Sequence, residues 1–237
     1  MGALHDGHRT LIERAREECD LVVVSIFVNP MQFDNAEDLA RYPATLSADL
    51  EICESVGVDL VYRPEVSTMY PNGFDTRVDV GRIGRVLEGR SRAGHYDGVA
   101  TVVTKLFNIV RPDRSYFGQK DYQQILVVKR MVRDLDLDLD IVVVPTVREL
   151  DGLAMSSRNV RLSTDARSRA TSISVALSEV SSRFARGETE ARTLVSGVIA
   201  SIEDAGLVYF INIFIPMPIE QWMMWLTSMW QNIKTAM

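Results

Sequence analysis

Two histidines three residues apart, His5 and His8, flank a glycine in Met1-Gly2-Ala3-Leu4-His5-Asp6-Gly7-His8, where a helix is predicted to start. Residues at i and i+3 share one face of a helix, so both imidazoles stand beside the backbone N–H groups that a helix N-terminus leaves without partners. That arrangement suits a phosphate, although such histidines can also simply cap a helix. Asp6 is the predicted N-cap.

Three further stretches offer compatible chemistry. Gln32 follows an apolar run in Phe27-Val28-Asn29-Pro30-Met31-Gln32-Phe33, the kind of place where open α/β sheets bind ligands. Its amide donates and accepts, which suits a substrate with neighbouring hydroxyl and carboxylate groups, unless the segment is only an Asn-Pro turn ending a strand. In Gly118-Gln119-Lys120-Asp121-Tyr122-Gln123-Gln124, glycine permits close backbone approach and Lys120 is a point charge. Asp121 either caps the following helix or holds Mg²⁺ through water, and Gln124 is spaced to face the same pocket. Met155-Ser156-Ser157-Arg158-Asn159, after Asp151-Gly152, can close over a triphosphate, or else forms a polar hinge. Three phosphate-suited loops at successive strand ends favour a nucleotide site.

The elements that must position these residues follow from periodicity. Leu4, Leu11, Ile12, Ala15 and Cys19 predict a helix through about Glu18. The run 21–28 predicts a strand buried on both faces, stopped by Asn29-Pro30. A helix over 46–56, a strand over 58–62, loops and short elements over 66–96, a helix over 98–110 and a short strand over 115–117 follow. A helix over 121–135 and a strand over 140–144 complete the series. Strands alternating with helices imply right-handed βαβ units in a doubly wound parallel sheet, an α/β fold. Beyond Asn159, two polar amphipathic helices over 163–186 and 189–205, joined to each other at Gly187, suggest a second domain. The expected domains are therefore 1–159 and 160–237. The strongly apolar 207–215 and the segment with Trp222, Trp225 and Trp230 read as a buried strand and an interface helix, or as sequence foreign to the domain.

With 237 residues, 46% hydrophobic and 24% charged, the composition is that of a globular enzyme. A net charge of −6 without a basic tract argues against nucleic acid as a partner. No run reaches the ~20 apolar residues of a membrane span, and no signal-peptide pattern is evident. Cys19 and Cys53 read as reduced core thiols of a cytoplasmic protein.

Taken together, these stretches closely resemble the pantothenate synthetase (pantoate–β-alanine ligase) family of nucleotidyltransferases with a HIGH-type signature. The matches are 1–8, 25–33, Leu87-Glu88-Gly89 with 94–99, Lys105-Leu106-Phe107-Asn108, 117–124 and 151–159, nearly continuous to about residue 165. The resemblance implies a Rossmann-like nucleotide- and pantoate-binding domain and a smaller C-terminal α+β lid on the dimer side. It also implies a two-step reaction dependent on ATP and Mg²⁺. Pantoate carboxylate attacks the α-phosphate to give pantoyl adenylate and pyrophosphate; β-alanine then displaces AMP. Carried over by motif, Met1, Gly2, Ala3, Leu4, His5, Asp6, Gly7 and His8 contact ATP. So do Gly118, Gln119, Lys120, Asp121, Val147, Met155, Ser156, Ser157 and Arg158. Gln32 and Gln124 hold pantoate, and Gln32 also borders β-alanine. His8 is the family's proton donor, acting with His5, Lys120 and Arg158. A cytoplasmic homodimer is implied.

Three departures accompany the resemblance. The family places a central strand and Pro-Thr ahead of the first motif, where this sequence starts at Met1. Gln119 stands where glutamate is usual. Beyond about residue 207 the pattern is atypical, so the small domain is expected to be shortened. The alternative to an active ligase is a truncated, impaired homologue that only binds nucleotide.

Overall fold

The computed structural model describes residues 2–207; Met1 and residues 208–237, with the readings placed on them, lie outside the described residues. The chain divides into two compact units, Met1–Val144 and Pro145 onward.

In the first unit, α1 (Asp6–Glu18) buries Ile12 and Ala15 and ends where the extended Cys19 returns its N–H to the Ala15 carbonyl. The N-cap is His5 rather than Asp6: the His5 ring accepts the Gly7 N–H, while Asp6 is exposed within the first turn. The sheet is α/β and parallel, as expected, but lies in two pieces. β1 (Val23–Ser25) pairs with β2 (Leu60–Tyr62), and β3 (Arg114–Gly118) with β4 (Asp140–Val144), both parallel. A cavity of about 650 Å³ borders β1 on one side and β3 on the other. β1 is shorter than the predicted 21–28 strand and only half-buried, because it pairs along a single edge.

Helices α3 (Leu46–Val56) and α6 (His95–Val110) frame these strands, and α7 (Tyr122–Asp134) packs on β3, β4 and α6. The main core gathers Phe27, Met69, Tyr96, Val99, Val103, Val127 and Val128 around α6; a second cluster joins Ile12, Ala15, Val22, Ile26 and Cys53. α6 starts three residues earlier than periodicity predicts. Short helices α2 (Ala36–Ala40), α4 (Val66–Met69) and α5 (Glu88–Ser91) occupy the connections. Both cysteines are unpaired; Cys53 is buried as expected, whereas Cys19 is only partly so, its Sγ 3.2 Å from the Tyr116 hydroxyl.

Gly98 in α6 explains one close approach. A Cβ there would stand 2.2 Å from the Met31 carbonyl oxygen, so only glycine lets the helix touch the 3₁₀ turn Pro30–Gln32 main chain to main chain.

The second unit contains α8 (Thr164–Ala170), α9 (Ser172–Ala185) and α10 (Ala191–Asp204). Ala176, Val180, Leu194, Val198 and Ile202 form the α9–α10 core. The single helix predicted over 163–186 breaks at Thr171. There Thr171 Oγ1 donates to the Ser168 carbonyl and Ser174 Oγ to the Thr171 carbonyl, hydroxyls competing for helix acceptors.

Candidate active site

The backbone before α1 is unusual. Gly2 has φ +112° and Ala3 +51°, a left-handed conformation that a non-glycine residue adopts at a cost. What holds it is Asp49, a side chain 1% exposed on α3. Its two carboxylate oxygens accept the Ala3 N–H at 2.9 Å and the Leu4 N–H at 2.8 Å, and Thr45 Oγ1 donates to it at 3.0 Å. Sequence reasoning missed Asp49, because nothing local marks a residue whose partners lie 45 and 46 positions away.

With the loop fixed, the two imidazoles are fixed too. Their centroids are 4.1 Å apart, on one face as the spacing predicts. The Gly7 N–H donates to His5 Nδ1 at 3.2 Å and the His5 N–H to His8 Nδ1 at 3.3 Å. A nitrogen that accepts an amide hydrogen carries no proton when the ring is neutral, so each neutral ring bears its proton on Nε2. His8 is pushed down to about 3, by burial first and then by the neighbouring charge of His5, with Lys120 adding a smaller push. Near pH 7 it is therefore a neutral hydrogen-bond donor rather than an imidazolium.

Gln32 ends the 3₁₀ turn that Asn29 caps. Asn29 is 1% exposed and fully engaged. Its Oδ1 accepts the Met31 N–H at 3.2 Å and the Tyr70 hydroxyl at 2.7 Å, while its Nδ2 donates to the Gly98 carbonyl and to Gln32 Oε1, both at 3.1 Å. The Met31 amide identifies which end of Asn29 is oxygen, and that orients Gln32: Oε1 turns to Asn29 and Nε2 is the donating end. Tyr70 is a second member that the sequence did not reveal. His8, Asn29, Gln32 and Gln124 are polar members of the largely apolar lining of the 650 Å³ cavity.

The lysine stretch forms a 3₁₀ turn, Gln119–Asp121, between β3 and α7. Lys120 Nζ lies 3.1 Å from Asp121 Oδ1, with both side chains largely exposed. Asp121 occupies the N-cap position of α7 without capping it through its side chain, so of its two expected roles the capping one is not realised. Gln119 is buried, where an amide avoids taking a charge out of water. A Cβ built on Gly118 meets nothing within 4 Å, so that side of the turn is open.

In the second unit, Val147 accepts the Met155 N–H at 3.0 Å and Glu149 donates its N–H to Leu153 at 2.8 Å, closing a narrow loop. Asn159 anchors it through Glu149 Oε1 at 2.6 Å and the Ala154 carbonyl at 3.0 Å. Arg167 pairs with Glu149 and with Asp151. Its hydrogen bond holds the Glu149 carboxyl below the usual range, whereas Asp151 is lowered first by the Leu153 N–H it accepts and then by Arg167. Ser156 Oγ accepts the Arg158 N–H at 3.3 Å, and Met155, Ser156, Ser157 and Arg158 are all half-buried. His5, His8, Gln32, Lys120 and Gln124 thus belong to one unit and Val147 and Met155–Arg158 to the other. Among the described residues no cluster of three or more His, Cys, Asp or Glu could cage a metal, and no helix is long and apolar enough to cross a membrane.

The family model described as pantoate-beta-alanine ligase matches residues 1–220. A pantothenate synthetase of Aquifex aeolicus is 54% identical over 203 residues, covering 86% of this chain and 72% of the relative. One from Deinococcus radiodurans is 52% identical over 219 residues, covering 89% and 78%. Among solved structures, pantothenate synthetase from Thermus thermophilus superposes with a TM-score of 0.80 at 50% identity, over 86% of this chain and 73% of that one. A pantoate-beta-alanine ligase from Francisella tularensis, complexed with beta-gamma ATP and beta-alanine, gives 0.72 at 39% identity, over 85% and 75%.

Proposed function

The chain belongs to the pantoate–β-alanine ligase family, and on that premise we propose how its own residues carry the ATP-dependent condensation of pantoate with β-alanine. The observations that support the reading are the His5 and His8 imidazoles held on one face with their Nε2 atoms as donors, and Gln32 turned by Asn29 so that Nε2 is its donating end. Pantoate carboxylate is ionised at neutral pH, so adenylate formation needs alignment and charge neutralisation more than a base. Gln32 and Gln124 hold pantoate. His5 and His8 donate from Nε2 to phosphate oxygens, and Gly2–Leu4 set their position. Lys120 leaves Asp121 to neutralise the phosphates, with Gly118 and Gln119 forming the turn beneath the nucleotide.

Val147, Met155, Ser156, Ser157 and Arg158 supply the remaining ATP contacts, Arg158 balancing charge on departing pyrophosphate. In the second step the neutral amine of β-alanine, bound beside Gln32, attacks the acyl carbon. The C–N bond forms, the bond to AMP breaks, and the amine releases a proton. Asp121 is an exposed carboxylate beside the Lys120 amine. That fits a Mg²⁺ held by phosphates and water with one protein carboxylate, a common arrangement for this ion. The ion would supply charge neutralisation on the triphosphate. Cytoplasmic location and homodimer formation complete the proposal and follow from the family resemblance.

Purified protein given ATP, Mg²⁺ and pantoate should release pyrophosphate, and adding β-alanine should release AMP with formation of pantothenate. Pyrophosphate release that ignores pantoate would sink the assignment. Nucleotide binding without any release would leave only the impaired homologue.

A further inference from the structure

Gln32 is held from two directions. Asn29 holds its side-chain amide; a different group holds its main chain. His95, the first residue of α6 and 7% exposed, places Nδ1 2.6 Å from the Gln32 carbonyl oxygen. A carbonyl only accepts, so Nδ1 carries the hydrogen. Nε2 must then be a bare acceptor, and Arg92 Nη1 lies 3.1 Å from it with a hydrogen to give. Arg92 also reaches the Gln32 carbonyl through Nη2 at 3.4 Å, and is itself steadied by Glu88 at 2.7 Å and Asp34 at 3.4 Å. Glu88 in turn accepts the Tyr96 hydroxyl at 2.8 Å.

We propose that His95 is a positioning residue for the pantoate end of the reaction: locked as the neutral Nδ1–H tautomer by Arg92, it pins the Gln32 carbonyl and thereby the turn from which the Gln32 amide projects. The inference rests on the assignment of Gln32 to pantoate made above. His95 itself touches no reactant. Burial, the main influence on the ring, holds it below the ordinary histidine value, and the Arg92 charge acts in the same direction. Hydrogen bonding to Gln32 and the carboxylates of Glu88 and Asp34 oppose this, and the neutral form prevails. A purely structural histidine would give, on removal, a general loss of folded protein. A positioning one gives a loss confined to one substrate.

Steady-state kinetics on the full chain separates the two. His95→Ala should raise the KM for pantoate about tenfold while the KM for ATP and kcat stay within about twofold. Asparagine places its amide nitrogen near the position of Nδ1, so His95→Asn should recover most of the loss; His95→Gln, whose amide falls near Nε2, should not. If the alanine variant fails to fold, the asparagine and glutamine variants make the same comparison. Equal weakening towards ATP and pantoate, or a glutamine variant better than the asparagine one, overturns the inference. So does an Nε2–H tautomer in the ¹⁵N spectrum of the His95 ring. A wild-type chain that makes no pantothenate overturns the functional reading itself, whereas a working wild type with any of those results overturns this inference alone.

Discussion

The histidine loop and the lysine turn of the first unit are built on opposite principles. Residues 2–8 have two left-handed backbone positions, a buried carboxylate from a distant helix, and ring nitrogens committed to backbone amides. The Gln119–Asp121 turn has an exposed ion pair between sequence neighbours and open space over Gly118. The first is set before any ligand arrives; the second must exchange one partner for another. A reaction that moves charge from a carboxylate to departing pyrophosphate needs both a rigid reference and a cation able to follow the charge.

That contrast can be broken first at its mobile end. Lys120→Ala should lower pantoate-dependent pyrophosphate release by about 100-fold or more, as loss of a charge-stabilising donor does. The unfolding midpoint should stay near wild type, because an exposed pair adds about 0–1 kcal/mol at most. A clear drop in stability would show that the turn is structural after all.

The rigid end should behave the other way. Asp49→Ala leaves the Ala3 and Leu4 amides buried without acceptors and should destabilise the first unit by about 2–4 kcal/mol in denaturant unfolding, with activity falling alongside. Full stability in this variant would remove the argument that the loop is held from α3.

A smaller effect sharpens the same point through pH. His8 titrates near 3 in the folded chain against about 6.5 unfolded, so between those values the unfolded chain binds the extra proton. Its contribution to stability is therefore complete above pH 6.5 and lost as the pH falls towards 3. Thermal midpoints across that range should fall less steeply in His8→Gln than in wild type. Identical slopes would mean that His8 is not held neutral by its surroundings.

Much of this site was legible in the sequence. The i,i+3 histidines, the glutamine after the first strand and the lysine at a strand-to-helix junction each carry a local pattern, and the family motifs tie them together. What was not legible is what holds them. Asp49 sits in an ordinary amphipathic helix, and Tyr70 in a stretch that reads as loop. His5 rather than Asp6 is the cap because its ring accepts the Gly7 N–H and His8 returns a ring nitrogen to the His5 N–H, roles that cap propensity does not assign to histidine. Thr171 broke a helix without glycine or proline, through hydroxyl hydrogen bonds that periodicity does not register. The strands alternated with helices as expected, yet their ends and the division of the sheet depended on which edges found partners.

The contact at Gly98 has a consequence for how this region can change over evolutionary time. Where two elements meet through side chains, their spacing drifts as those side chains are exchanged for larger or smaller ones. Here main chain meets main chain, with the Met31 carbonyl where a Cβ would be. The surrounding core can be exchanged residue by residue while this separation keeps its value. The glutamine that follows Met31 thus inherits its place from a distance that substitution elsewhere does not reset.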